Sequence, residues 1–525
     1  MSNDKFKGAD LHTKLLRSTS IISCGTLSSR ILGFIRDVLL ARFMGTGFAA
    51  DAFFVAQKIP NLLRSFVGEG ATDSAVVPVL AEYKFKSEKQ AFWEFVNVVL
   101  LLALMALSAI VLLGIVLAPV IVRVIAPGFM ADPDKLFMTI RLTKIMFPYL
   151  LLIGMTAYGT SVLYTFKSFA TPAFGPCLFN LAMITGILVS PKFFSEPVYG
   201  LGLSVLLGGL LQLLIQIGPM VKLGLPFRWP ATLHHPGARK IGRLLIPRMV
   251  GAGVYQLTVF IDTFCASLAS IVGSGGISAI YYANRIIQFP MGIFGLAIAS
   301  ATLPTLSGFA AREDLEQFKR TLIFSLENIF FIMVPTAVIA VVLATPIIRV
   351  LFQRGEFNEY STMITSSALF FYALGLFSFG GIKILVSAFH ALQDTKTPVK
   401  VAFVCLAVNA ALNFVLMFPM KIAGIALSSS IAATIDFCAL LYFIRHKVGR
   451  LESGFAPFVA KTFLAAGVTA VAVYAAWNKM ALDCEVLKLA LAGISGFIIY
   501  VISCGLLKVD QAGKIGQWLW GRLRK

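Results

Sequence analysis

Apolar runs of about 20 residues, separated by short polar stretches, recur along the whole 525-residue chain. At 1.5 Å per residue, runs of this length cross a hydrocarbon core as helices, whereas barrel strands would be short and alternating. The pattern predicts an all-α polytopic membrane protein with spans at 19–42, 48–80, 94–122, 136–165, 172–190, 198–222, 242–272, 278–308, 321–348, 362–392, 399–418, 423–444, 457–477 and 486–507. These make fourteen transmembrane helices, of which the first, second, seventh and eighth are interrupted by polar residues.

Composition agrees. Hydrophobic residues make up 58% of the chain and charged residues 13%, about half the charged share of a soluble domain; mean hydropathy is +0.85. The net charge of +20 is not a nucleic-acid footprint, because it concentrates in alternate loops. Lys84, Lys86 and Lys89 lie in one, and Arg228, Arg239, Lys240 and Arg243 in the next. Arg312, Lys319 and Arg320 follow, then Arg445, Lys447 and Arg450, with basic tails at both ends. The intervening loops carry few cations, such as Lys192 and Lys421. Positive-inside bias therefore places both termini in the cytoplasm, and anionic headgroups are the natural partner of these loops. The basic start precedes an apolar stretch containing Arg30, Arg36 and Asp37 without a convincing cleavage site, so it reads as a retained first helix. The seven cysteines show no CxxC pairing and read as small packing residues.

The chain repeats itself. Residues 52–59 (AFFVAQKI) resemble 279–286 (AIYYANRI), and 66–68 meet 293–295 at the same offset; Thr171-Pro172 recurs as Thr397-Pro398, and GLGLS at 200–204 as GIALS at 424–428. Six helices separate equivalent positions, which gives two parallel six-helix repeats related by an axis along the membrane normal. The expected organisation is a cytoplasmic amphipathic N-terminus (1–18), a first bundle (19–222), a basic cytoplasmic linker (223–241), a second bundle (242–447), and two extra helices with a basic tail (448–525). Two such bundles rocking about a central site are a transporter architecture.

Candidate chemistry lies inside the spans. Arg30, Arg36, Arg64 and Arg285 sit in stretches otherwise fit to cross a bilayer. There a cation costs roughly 3 kcal/mol and normally faces a wet cavity or an anionic partner. Guanidinium suits phosphate because its planar fork donates two parallel hydrogen bonds. Lys58 and Arg285 occupy matching places in the repeat. Arg30 and Arg36 are six apart, about 120° off a common face, unless long side chains or a bend near Gly33 bring both to one lumen. The competing reading is that these cations snorkel to an interface or pair with Asp37, Asp51 or Glu69. Glu69, flanked by Gly68 and Gly70, would either gate a cavity or form a structural ion pair. In the second half, Asp262 is the lone acid of its segment, and Asn409 and Asn413 share a helix face. With Ser428 and Ser429 they offer oxygen chemistry for a monovalent cation, or interhelical hydrogen bonds. No HExxH, GxSxG or Walker-type motif is present, and the five histidines are scattered or in a basic loop, so the chain reads as a transporter and not an enzyme.

The stretches SRILGFIRDVLLARFMGTGFAADAFFVAQKIPNLLRSFVGEGA, VPVLAEYK, APGF, YYANRIIQFP, LFQRGEF and DTKTPVK resemble the MurJ (MviN) family of lipid II flippases. That family lies within the multidrug/oligosaccharidyl-lipid/polysaccharide exporter superfamily, and the resemblance covers essentially the whole chain. It implies flipping of undecaprenyl-pyrophosphate-linked disaccharide-pentapeptide from the inner to the outer leaflet of the bacterial cytoplasmic membrane, for peptidoglycan synthesis. It also implies that Arg30, Arg36, Arg64 and Arg285 bind substrate, that Asp51 and Glu69 serve cavity and gate, and that Asp262, Asn409, Asn413 and Ser429 form a sodium site. Asn284, Gln288 and Asn413 depart from acidic positions of relatives, the first two making the cavity more positive. The resemblance implies no cofactor, but coupling to sodium, protons or membrane potential, and contact with cell-wall synthesis or division proteins. The alternative from the same superfamily is an exporter of another polyprenyl-linked glycan or an amphipathic compound; a cationic cavity counts against cationic drugs.

Overall fold

The computed structural model describes residues 2–67, 71–226, 229–230, 232–450 and 454–513. Among them all regular structure is helical, and the chain divides into two compact units, Met1–Gln256 and Leu257–Lys525.

The first unit contains α1 (Ser2–Met44), α2 (Phe48–Val67), α3 (Ala71–Lys86), α4 (Lys89–Ile125), α5 (Pro133–Met146), α6 (Tyr149–Thr165), α7 (Ala170–Phe193), α8 (Pro197–Lys222) and most of α9 (Pro236–Ser267). α1 lies along α7, and α7 along α8. A side-chain carbon at Gly25 would stand 2.6 Å from the Ala173 carbonyl oxygen, so glycine sets the α1–α7 distance. Gly25→Leu should force the helices apart, since the obstacle is backbone. Lower folded yield and a lower melting temperature in detergent are expected; wild-type values would mean the pair can separate freely.

At the basic end of this unit, Val76, Leu80, Phe92, Trp93, Val162, Met220 and Ile241 form a core. Trp93 stacks on Phe166 at 5.4 Å, and the Tyr158 hydroxyl donates to the Val96 carbonyl at 2.8 Å. Lys240 and Lys86 both clamp Glu82, at 2.5 and 2.9 Å. The hydrogen bond from Lys240, seconded by that from Lys86, holds the Glu82 carboxyl down at about 2. These contacts tie the start of α9 to the first unit, which is why the division falls inside that helix and not in the loop before it.

The second unit runs through α10 (Ala269–Val272), α11 (Gly276–Pro290), α12 (Leu296–Ala311), α13 (Leu315–Val342), α14 (Ala344–Phe352), α15 (Glu359–Leu374), α16 (Leu376–Ala391), α17 (Lys396–Met420), α18 (Ile422–Val448), α19 (Phe455–Lys479) and α20 (Glu485–Leu506). α17 pairs with α18, and α18 also packs on α15 and α16; α19 and α20 pair, and α19 lies along α13. Beyond α20, Gln511 donates to Glu327 of α13 at 2.8 Å. The DTKTPVK loop is held by Asp394, which accepts from the Lys396 and Thr397 amides, the Thr397 hydroxyl and Lys447. Burial pushes the Asp394 carboxyl up, but Lys447 and Thr397 outweigh it and hold it below the ordinary range.

Among the described residues, ten helical stretches are long and apolar enough to cross a membrane, and α15 with α16, bent by 46°, makes an eleventh. The expected spans 19–42, 48–80 and 242–272, each including side chains outside those described, are not in this set. α1 runs unbroken from Ser2 to Met44. The helices carry Leu112, Val116, Val120, Leu464 and Val471 on their outside, more than half exposed, as lipid-facing surfaces do. Cys177, Cys265, Cys405 and Cys504 are buried as expected of packing residues, whereas Cys24, Cys438 and Cys484 are exposed.

Candidate functional site

The two units place the candidate residues differently. In the first, α1 runs through Gly33 without a break, so Arg30 and Arg36 keep separate directions. Arg36 turns to α7 and is buried. Its Nη2 and Nε donate to Asp37 Oδ1 at 2.8 and 3.1 Å, and its Nη1 donates to Asn180 Oδ1 at 2.9 Å. Asn180 in turn donates to the Ser29 carbonyl at 2.9 Å. Such a satisfied arginine pins two helices together; this is the pairing with Asp37 that the sequence left open. Arg30 is half-buried, with no ion-pair partner among the described residues.

Asp51, in the first turn of α2, is 2% exposed and lies 2.8 Å from Lys135 of α5, itself 7% exposed. The Lys135 ammonium sits 4.4 Å from the Phe129 ring centre and 5.9 Å from that of Phe48. Asp51 is therefore built into the α2–α5 contact. Lys58 and Arg64, also on α2, are half-buried; Arg64 Nε donates to Asn61 Oδ1 at 3.2 Å. Pro60 between them cannot donate to the Ala56 carbonyl, which loosens α2 near both cations. Glu69 lies outside the described residues.

In the second unit, Arg285 on α11 is half-buried and lies across the Tyr281 ring at 5.2 Å, with Nη2 donating to the Tyr281 hydroxyl at 3.2 Å. Stacking leaves the edge of the guanidinium fork as its hydrogen-bonding front. One turn later Pro290 ends the α-helical ladder, and Met291–Gly295 forms a π-turn before α12; such turns are frequent at functional sites.

Three helices bring Asp262, Asn409, Asn413 and Ser429 together. Asn413 Nδ2 donates to Asp262 Oδ1 at 2.8 Å and to Asn409 Oδ1 at 3.3 Å; Ser429 donates to Asp262 Oδ2 at 3.2 Å, and Asn409 Nδ2 to Ser429 at 3.4 Å. Asn409 and Asn413 are almost fully buried, and Asn413 Oδ1 has no hydrogen-bond partner among the described residues. One carboxylate, two amide oxygens and a hydroxyl are a hard, singly charged donor set that fits a monovalent cation. Ser428 is not part of it; its hydroxyl donates back to the Gly424 carbonyl at 2.8 Å. No group of three or more His, Cys, Asp or Glu suited to a metal occurs among the described residues.

Asn180, Lys135 and Tyr281 were missed by sequence reasoning. Asn180 offered a signal, being the lone amide in a membrane-length apolar run. Lys135, at a helix start, and Tyr281, one of two adjacent tyrosines, carry no comparable signal.

An all-helical bundle with cations along its polar helices and a buried oxygen cluster defines a polytopic membrane transporter. Its fold is shared with a solved inward-facing multidrug resistance MATE family transporter of the MOP superfamily, at TM-score 0.67 and 15% identity over 81% of this chain and 95% of that one. The chain belongs to the lipid II flippase MurJ family, whose model matches residues 40–491. It is 35% identical over 473 residues to the probable lipid II flippase MurJ of Buchnera aphidicola from Acyrthosiphon pisum, covering 89% of this chain and 91% of the relative. It is also 35% identical over 509 residues to the Haemophilus influenzae protein of the same description, covering 93% and 98%. A solved lipid II flippase MurJ in an inward closed conformation superposes with TM-score 0.77 at 27% identity, over 91% of this chain and 97% of that one.

Proposed function

We infer that this chain is a lipid II flippase, carrying the undecaprenyl-pyrophosphate-linked disaccharide-pentapeptide from the inner to the outer leaflet for peptidoglycan synthesis. The observation that carries this is the family match over residues 40–491, supported by relatives aligned along nearly their whole length. It is a transporter and not a catalyst, seated in the bacterial inner membrane with both termini cytoplasmic. Its fourteen spans comprise two parallel six-helix repeats and two further helices. Among the described residues ten stretches and one bent pair meet the length and hydropathy of a span; α1, α2 with α3, and α9 supply three more, whose charges suit helices that face substrate.

The headgroup carries a diphosphate and peptide carboxylates, so it needs cations while it is withdrawn from water. Arg30, Lys58, Arg64 and Arg285, each half-buried, are the substrate-binding set, and Arg36 with Asp37 and Asn180 positions α1 beside it. Alternating access moves the headgroup, while the lipid tail stays in the bilayer through a lateral opening. An inside-negative potential favours outward movement of the anion by about 2.3 kcal/mol per charge per 100 mV. Anionic lipids meet the basic loops, and cell-wall synthesis or division proteins are partners by proximity of substrate.

Asp262, Asn409, Asn413 and Ser429 would hold sodium, whose charge would draw α9, α17 and α18 together. Asp262→Ala should remove sodium dependence of translocation while leaving membrane abundance intact; an unchanged sodium response would return the cluster to interhelical hydrogen bonding. The function itself is tested by depleting the protein in cells and asking whether lipid II becomes inaccessible to an outer-leaflet probe. Loss of accessibility, restored by the wild-type chain, is expected; undiminished accessibility would sink the assignment.

A further inference from the structure

A second carboxyl lies inside the second unit, unassigned by anything above. Asp436 is the lone acid of α18, seven residues after Ser429. Seven residues fall about 20° short of two full turns, so the two share a helix face about 10 Å apart, Asp436 being nearer the basic end at Arg445 and Lys447. On the facing helix, Val401, Cys405, Asn409, Asn413 and Met417 recur every four residues as the buried stripe of α17. Cys405 is the titratable group of that stripe within electrostatic reach of Asp436.

The two carboxyls are treated in opposite ways. Asp262 receives an amide and a hydroxyl hydrogen bond, which suits an anion. Asp436 Oδ1 is buried and has no hydrogen-bond partner among the described residues. The helices packed on α18 carry titratable or charged groups, among them Cys405 and Lys400 on α17, Lys383 on α16, Tyr372 on α15 and Arg285 on α11. Among the described residues, no hydrogen bond reaches its buried Oδ1 from any of them. An ionised carboxylate without a partner at bilayer depth is costly, and the usual escape is to take up a proton. Pairs of carboxyls whose surroundings favour opposite protonation states mark divided roles.

We propose that Asp436 is a proton-binding site of the transport cycle, a second ion-handling carboxyl two turns from the Asp262 cluster on the same face of α18. It takes up a proton from the last water as α17 and α18 close and its surroundings dry, and returns it to water when the two helices part enough to hydrate it. The Asp262 cluster holds a cation while Asp436 holds a proton, so the unit can respond to both ions. This rests on the transport reading, deepening it by naming an ion and its carrier.

The test uses the full chain in bacterial-lipid nanodiscs, with infrared spectra recorded across the neutral pH range for wild type, Asp436→Asn and Asp436→Glu. A protonated-carboxyl band that bleaches as pH rises is expected in wild type, absent from Asp436→Asn and displaced in Asp436→Glu. In vesicles, Asp436→Asn should flatten the pH dependence of lipid II translocation and Asp436→Glu should keep it. A wild-type spectrum lacking that band, or an unaltered pH response in Asp436→Asn, overturns the proposal. The infrared measurement needs no substrate, so its failure removes the proton site alone, whereas absence of translocation by wild type removes the flippase reading.

Discussion

Arg285→Ala should lower lipid II translocation by about 10- to 100-fold at equal membrane abundance. A hydrogen bond to a charged group contributes roughly 1.5–3 kcal/mol, and each 1.4 kcal/mol is about tenfold. Arg285 is suited to phosphate because Tyr281 supports its flat face at 5.2 Å and accepts from one edge. Lysine keeps the charge but not the fork, so Arg285→Lys should recover part of the loss. Tyr281→Phe should keep the stack and lose only the hydroxyl contact, with a milder defect. Accessibility of lipid II to the outer-leaflet probe, in cells depleted of the native copy, reads all three. Full rescue by Arg285→Ala would strip the residue of a substrate role.

Lys135→Met should destabilise the first unit by about 3–5 kcal/mol, because removing one partner of a buried ion pair strands the other charge. Both side chains of the pair are under 10% exposed, with the ammonium 2.8 Å from the Asp51 carboxylate. The double replacement Asp51→Leu with Lys135→Met should recover most of that loss, since well-packed apolar residues of similar size often serve as well as a buried pair. Thermal melts of the purified protein in detergent separate the cases. If Lys135→Met melts with wild type, the pair is not holding α2 to α5. If the double variant folds but no longer flips substrate, Asp51 has a role in transport beyond packing.

These two residues show where sequence reading succeeds and where it stops. Arg285 was legible: a guanidinium inside YYANRIIQFP violates the hydropathy of its span, and its match to Lys58 at the same repeat position marked it again. Asp51 was legible as an anomaly but not as a contact, because Lys135 lies 84 residues away. The same holds for Arg36. Its neighbour Asp37 suggested pairing, yet Asn180 on α7, 144 residues distant, completes the clamp. The Asp262 cluster was half visible, with Asn409 and Asn413 on one face by spacing. Their meeting with Asp262 across 151 residues needed family resemblance to anticipate.

By itself, the chain's hydropathy determined that it is a bundle of membrane-length helices, because a lipid core accepts only segments that satisfy their own backbone. Its charge distribution determined which loops are basic, and its motifs determined the family. Only the tertiary structure decided which polar side chains meet. That depends on the rotation of each helix about its axis and on its packing distance, as Gly25 sets the approach of α1 to α7. Spacing along one helix fixes which residues share a face. It does not fix which face of another helix comes to lie against them.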